Sequence, residues 1–248
     1  MTRTDLPLRD ILVAAILLTR LPLPAQPKEA FDNQARSVWA FPVVGFGLGC
    51  AAAAVFWLAG WFGLPAMASA GLALATLIIT TGAMHEDGLA DTADGLWGGF
   101  TKERRLEIMK DSRIGAYGVL ALILGIGLRW SAMAAAGPVA IIAACTASRS
   151  AMGLMMAHMP NARDAGLSHS VGRPARAQAN AALGIAALVC FVLFSVTGLL
   201  ACVIAAGAVY LLARIALHKI GGQTGDILGA SQQIAEIALL LAFAAAVA

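Results

Sequence analysis

Charged side chains are scarce in this chain. They make up 12% of its 248 residues, against 60% hydrophobic ones, whereas a soluble domain is nearer one quarter charged. That balance excludes an ordinary water-soluble enzyme and indicates an integral membrane protein. The net charge of +3 is too small for a nucleic-acid surface, so no nucleic acid is expected among the partners. Cysteine is rare as well. Cys50, Cys145, Cys190 and Cys202 stand singly in apolar runs; this excludes a disulfide framework or thiolate zinc site and leaves four small hydrophobes. A cleavable leader is not expected, because the apolar run Ile11–Leu18 ends at Thr19-Arg20 without a small-residue cleavage site. No Ser-His or Cys-His nucleophile pattern, internal repeat or low-complexity linker stands out.

What is there is a series of long apolar runs, read as one integral membrane domain over residues 1–248. Ile11–Leu18, with Arg3 and Arg9 before it, is far short of the roughly 20 residues that cross a bilayer. It reads as an amphipathic or re-entrant half-helix, stopped by Leu21-Pro22-Leu23-Pro24. Full spans are expected at Val38–Phe62, Ala66–Met84, Gly115–Ala136, Val139–Met159, Ala181–Leu199, Leu200–Leu217 and Ile227–Ala248. The expected architecture is therefore all-α, a polytopic membrane bundle of about seven transmembrane helices plus the N-terminal half-helix. The turns near Gly63, Gly137 and Leu199 lack ionisable side chains, whereas connections 20–36, 101–113, 160–178 and 218–226 hold most of the Lys and Arg. The positive-inside rule puts those four connections and the N-terminus in the cytoplasm.

One stretch breaks the apolar pattern: His85-Glu86-Asp87-Gly88-Leu89-Ala90-Asp91-Thr92-Ala93-Asp94-Gly95. Carboxylates packed this densely repel one another unless a cation sits among them. On a helix Asp87, Asp91 and Asp94 fall at i, i+4 and i+7, within about 60° of one another. Hard oxygens without cysteine suit Mg²⁺ or Mn²⁺, which also take phosphate oxygens as ligands. Glu86 points about 100° away from that face and is a secondary candidate. His85 is a candidate proton acceptor, against the alternative of a hydrogen-bonded structural histidine. A solvated acidic turn is the plainer alternative for the whole stretch.

Two further segments read as phosphate seats. Lys110-Asp111-Ser112-Arg113-Ile114-Gly115 opens a span, where a helix start offers free N–H groups beside an arginine. Gly221-Gly222-Gln223-Thr224-Gly225-Asp226 is a glycine-rich turn with Gly222, Thr224 and Asp226 as binding candidates: its glycines let backbone amides crowd a phosphate or diphosphate, and Asp226 supplies a carboxylate for the metal or a base edge. A capped helix start and a plain reverse turn are the competing readings. Arg149 and Glu236 lie deep in apolar spans, with Arg129 nearer the far side; Arg149 is expected to pair with Glu236 or to meet substrate phosphate. Segment 163–168 is a connector with the alternative role of a lid. Together these features point to metal-assisted transfer of a phosphate-linked group.

The sequence resembles the cobalamin synthases (adenosylcobinamide-GDP ribazoletransferases). The resemblance rests on Leu18-Thr19-Arg20-Leu21-Pro22, Phe41-Pro42-Val43-Val44-Gly45, the acidic run 85–95, Lys110 to Gly118, Ser148-Arg149 and Gly221 to Gly229, in order over nearly the whole chain. It implies a late step of coenzyme B12 assembly. Adenosylcobinamide-GDP is joined to α-ribazole or its 5′-phosphate, giving adenosylcobalamin or its phosphate and GMP, in a Mg²⁺-dependent protein of the bacterial inner membrane whose active site faces the cytoplasm. The implied roles place Mg²⁺ on Asp87, Asp91 and Asp94 against the diphosphate. Expected partners are the two substrates and membrane lipid; self-association and association with other B12-assembly enzymes stay open. The acidic run also looks like that of CDP-alcohol phosphotransferases, but Leu89-Ala90-Asp91 follows Gly88 where that family has Ala-Arg in the pattern. An ion-coupled transporter is the remaining alternative, and its hallmark inverted repeat is not evident.

Overall fold

A computed structural model describes residues 5–247, and every named element among them is a helix. Arg3 and Ala248 lie outside the described residues. The chain is a polytopic helical membrane protein.

The first helix, α1 (Asp5–Leu18), has 14 residues, about 21 Å at 1.5 Å per residue, too short to cross a bilayer. It packs beside a 3-10 turn, Gln34–Ala40. Asp10 on α1 ties the two together, accepting from Arg36 Nε at 3.2 Å and Trp39 Nε1 at 3.0 Å. Helix α2 (Phe41–Trp61) follows at once with Pro42 in its first turn, where a missing N–H leaves no bond unmade. The remaining elements are α3 (Ala66–Thr81), α4 (Met84–Gly98), α5 (Lys102–Ile108), α6 (Ala116–Ala136), α7 (Pro138–His158), α8 (Leu167–Val171), α9 (Arg176–Ile220) and α10 (Gly225–Val247).

Among the described residues, five helices are long and apolar enough to cross a membrane, and α3 with α4 makes a sixth only as a pair bent by 86°. This bend departs from the continuous run expected into the acidic motif. Gly82 (φ 64°) and Ala83 (φ 57°) are both left-handed, a conformation that glycine adopts freely and alanine does not. The Gly82 and Ala83 N–H groups bond back to the carbonyls of Ile79 and Ile78, closing α3. A second departure lies in α9, whose 45 residues include a non-helical Ser195 (φ 52°, ψ −136°). The chain folds back there, so that Cys190 meets Cys202 and Gly198 packs on the Cys190 carbonyl. The reversal expected near Leu199 therefore falls at Ser195.

Helix α7 is the hub, with its apolar window 83% buried. Its face is built from Ala143, Ala144, Ala147 and Ala151, small residues that let helix backbones close up where lipid provides no hydrophobic drive. Helix α2 reciprocates with Gly45, whose missing Cβ makes room for the Cys145 carbonyl, and Gly49, where a Cβ would lie 2.8 Å from Ile142 Cα. Replacing Gly45 with leucine forces α2 off α7. The Gly45→Leu protein is expected to unfold at markedly lower temperature in detergent than Gly47→Leu, since a Cβ at Gly47 meets nothing within 4 Å. Equal melting of the two would contradict this packing.

Candidate functional site

The acidic motif forms α4, and the four carboxylates on it go to three different places. Asp94 is buried against the start of α6, accepting from the Gly115 N–H at 2.6 Å and the Gly118 N–H at 2.9 Å. Free amides at a helix start attract a carboxylate, and glycines at both positions allow it to come this close. Glu86 turns inward to Arg129. Asp87 is exposed and Asp91 half-buried; neither side chain makes a hydrogen bond or ion pair with the protein. Both lie within electrostatic reach of Asp226 at the start of α10.

The approach of α10 depends on glycine. A Cβ on Gly88 would sit 2.9 Å from the Asp226 carbonyl oxygen and 3.2 Å from Gly229 Cα. Motif glycines thus let two helix backbones touch and set Asp226 beside Asp87. Thr224 starts α10, accepting from the Ile227 N–H at 3.3 Å and donating to Asp226 Oδ2 at 3.1 Å. Asp226 also receives Arg163 Nη2 at 3.1 Å.

Arg163 is held there by its own segment. Residues 160–162 pair with the glycine-rich turn, Ala162 N–H to Gln223 O at 2.9 Å and Gln223 N–H to Pro160 O at 2.9 Å. Ser168 Oγ donates to Gln223 Oε1 at 2.6 Å. Gly222 is needed because any Cβ would strike the Pro160 carbonyl. The expected phosphate cradle at Gly222 is therefore occupied by protein backbone.

A cavity of about 260 Å³ lies between these elements. Its polar side is His85, Asp87, Arg163 and Asp226; Leu18, Phe41, Met152 and Met156 form an apolar side. Segments far apart in sequence, from the end of α1, the start of α2, α4 and the start of α10, converge on it. His85 is buried, and its Nε2 has no hydrogen-bond partner. Neither Lys110, Asp111, Ser112 nor Arg113 lines the cavity. The α6 amides expected to hold phosphate are engaged by Asp94, and Arg113 is paired with Asp111 at 2.6 Å. That guanidinium holds the exposed Asp111 carboxyl below its ordinary range.

Beneath α4 lies a polar network buried in the bundle. Arg129 contacts Glu86 at 2.6 Å and Glu236 at 2.7 Å, and donates to Gln233 Oε1 at 2.9 Å. Gln232 Nε2 reaches Glu236 at 2.6 Å and Ser148 Oγ at 3.0 Å. Arg149 lies 3.7 Å from Glu236, the pairing expected from sequence, and donates to Cys145 O at 2.8 Å. Arg129 is the partner that span-by-span reading placed too near the far side. The signal that finds Glu86 is charge balance, since two arginines in apolar spans require a second carboxylate beside Glu236.

Among the described residues, no three His, Cys, Asp or Glu side chains converge as a metal cage. Mg²⁺ does not require one, since it is commonly held by one or two carboxylates plus substrate phosphates. The unpaired hard oxygens of Asp87 and Asp91, with Asp226 nearby, have the right chemistry. Asp94 and Glu86 already have protein partners. Accordingly Asp94→Asn, which leaves one oxygen for two amides, is expected to lose about 1–2 kcal/mol of stability. Asp91→Asn removes a repelling charge and should unfold no earlier than the parent protein in detergent. Equal losses in the two would contradict the division of roles.

Comparison with known proteins shows the family. The family model described as cobalamin-5-phosphate synthase matches residues 10–244. Curated relatives named adenosylcobinamide-GDP ribazoletransferase include one from Bradyrhizobium diazoefficiens, 48% identical over 95% of this chain and 93% of its own. Another, from Brucella anthropi, is 44% identical over 90% of this chain and 91% of its own. A third, from Rhizobium meliloti, is 41% identical over 96% and 97%. No solved structure matches the chain. With the match running from α1 nearly to the end of α10, this chain belongs to the cobalamin-5-phosphate synthase family.

Proposed function

We propose that this chain joins adenosylcobinamide-GDP to α-ribazole or its 5′-phosphate, releasing GMP, as a late step of coenzyme B12 assembly. The observation that carries this reading at the level of the site is the pair Asp87 and Asp91, whose side chains are unpartnered within electrostatic reach of Asp226, Asp87 and Asp226 lining the cavity, in a chain with these relatives. Membrane enzymes that move phosphate-linked groups need carboxylates free to act on a diphosphate. The lipid head-group transferase and the ion-coupled transporter draw no support from the relatives' names.

The divalent ion, Mg²⁺ or Mn²⁺, would be held by Asp87 and Asp91 with Asp226; bound there it would supply positive charge that offsets the charge on the departing phosphate. The ribazole 3′-hydroxyl oxygen attacks the cobinamide-side phosphorus. The bond from that phosphorus to the bridging oxygen breaks, and the oxygen leaves with GMP. His85, lining the cavity with Nε2 unpartnered, takes the hydroxyl proton. The apolar side, Leu18, Phe41, Met152 and Met156, keeps bulk water from competing with the acceptor. The basic connections support a cytoplasmic setting for this mouth at the inner membrane, where nucleotide substrates are available.

Purified protein in detergent, given both substrates, is expected to release GMP only when a divalent ion is present. Asp91→Asn should lower that rate at least about 100-fold with an unchanged melting temperature. Near-normal GMP release from this variant would remove the metal assignment, and no GMP from the parent protein would remove the reaction itself.

A further inference from the structure

Arg163 is a cation set among carboxylates, in a place its own segment cannot leave easily. Its side chain is only 16% exposed. One donor, Nη2, reaches Asp226 at 3.1 Å, while Nη1 is buried with no hydrogen-bond partner. A buried guanidinium donor left unmet is unfavourable, and here it belongs to a side chain that lines the cavity. The anchoring of residues 160–162 on Gln223, and of Ser168 on the same side chain, fixes Arg163 over the Asp87–Asp226 side of that cavity. Arg163 and Asp226 are therefore poised to exchange partners when an anion arrives. A guanidinium is suited to this role, since its planar fork matches two phosphate oxygens at once.

We propose that Arg163 binds the nucleotide-side phosphate of the donor, giving up Asp226 as the substrate enters and holding the GMP phosphate as it leaves. The proposal rests on the transfer reading above for the identity of the nucleotide. In the transfer step the P–O bond to the bridging oxygen breaks, the electron pair stays with that oxygen, and the Nη donors of Arg163 stabilise the negative charge that collects there. Asp226, released from the guanidinium, is then free for the divalent ion.

The test is GMP binding to full-length protein in detergent, measured by titration calorimetry in EDTA so that no metal contributes. Arg163→Gln is expected to weaken GMP at least tenfold, and Arg163→Lys by less. Asp226→Asn, which removes the competing carboxylate, is expected to tighten GMP severalfold, a gain that misfolding cannot produce. The gain should vanish in the double variant. Unchanged affinity in Arg163→Gln, or an equal gain from Asp226→Asn in the Arg163→Gln background, would overturn the assignment to Arg163. Catalytic GMP release by the parent protein tests the transfer reading separately, so the two can fail independently.

Discussion

Arg129 sets the geometry on which the rest of this molecule depends. A guanidinium inside an apolar bundle must be paired, because an isolated charge there is strongly unfavourable. Its two partners come from different elements, Glu86 on α4 and Glu236 on α10, and Arg129 itself belongs to α6. Three helices are thereby bound at one depth. Gln233, also on α10, bonds to both Arg129 and Glu86, so α4 and α10 are registered against each other through more than a single contact. Arg149 adds the hub helix α7 to the same group.

From that registration the site follows. With Glu86 pinned inward, the helical repeat turns Asp87 and Asp91 toward α10. Gly88 and Gly229 let the two backbones meet there, so Asp226 arrives beside them. Two turns further along α4, Asp94 caps α6 and holds the outer end of the acidic helix. The left-handed pair Gly82-Ala83 lets α4 depart from the direction of α3 by 86°. The unpaired carboxylates are thus placed by structural ones on either side of them, which explains why an acidic helix can remain folded with two charges unmet.

Much of this was legible in the residues. The apolar runs are long and bounded by glycine, proline or charge, so most helix ends fall within a few residues of expectation. The family was legible too, because its motifs are spread over the chain and specific. What could not be read was the division of labour within the acidic motif. Helical spacing correctly puts Asp87, Asp91 and Asp94 near one face, but it does not say that two different neighbours share that face. Nor does it distinguish a glycine that cradles a ligand from one that admits another part of the protein: Gly88 and Gly222 admit backbone, and Gly115 admits the Asp94 carboxylate. The reversal at Ser195 carries no proline or charge to mark it. Arg163 was read as part of a connector because nothing local shows that Gln223 would hold that connector down.

The central claim is that Arg129 is stabilising only through Glu86 and Glu236, and the direct measurement is reversible unfolding in detergent of a matched set of variants. Arg129→Met should lose about 3–5 kcal/mol, because the buried Glu86 is left without a cation and Glu236 keeps only Arg149, at 3.7 Å. Adding Glu86→Gln to that variant, which leaves Glu236 to Arg149, should restore part of the loss. A single substitution within about 1 kcal/mol of the parent, or a double variant no more stable than Arg129→Met alone, would contradict the account.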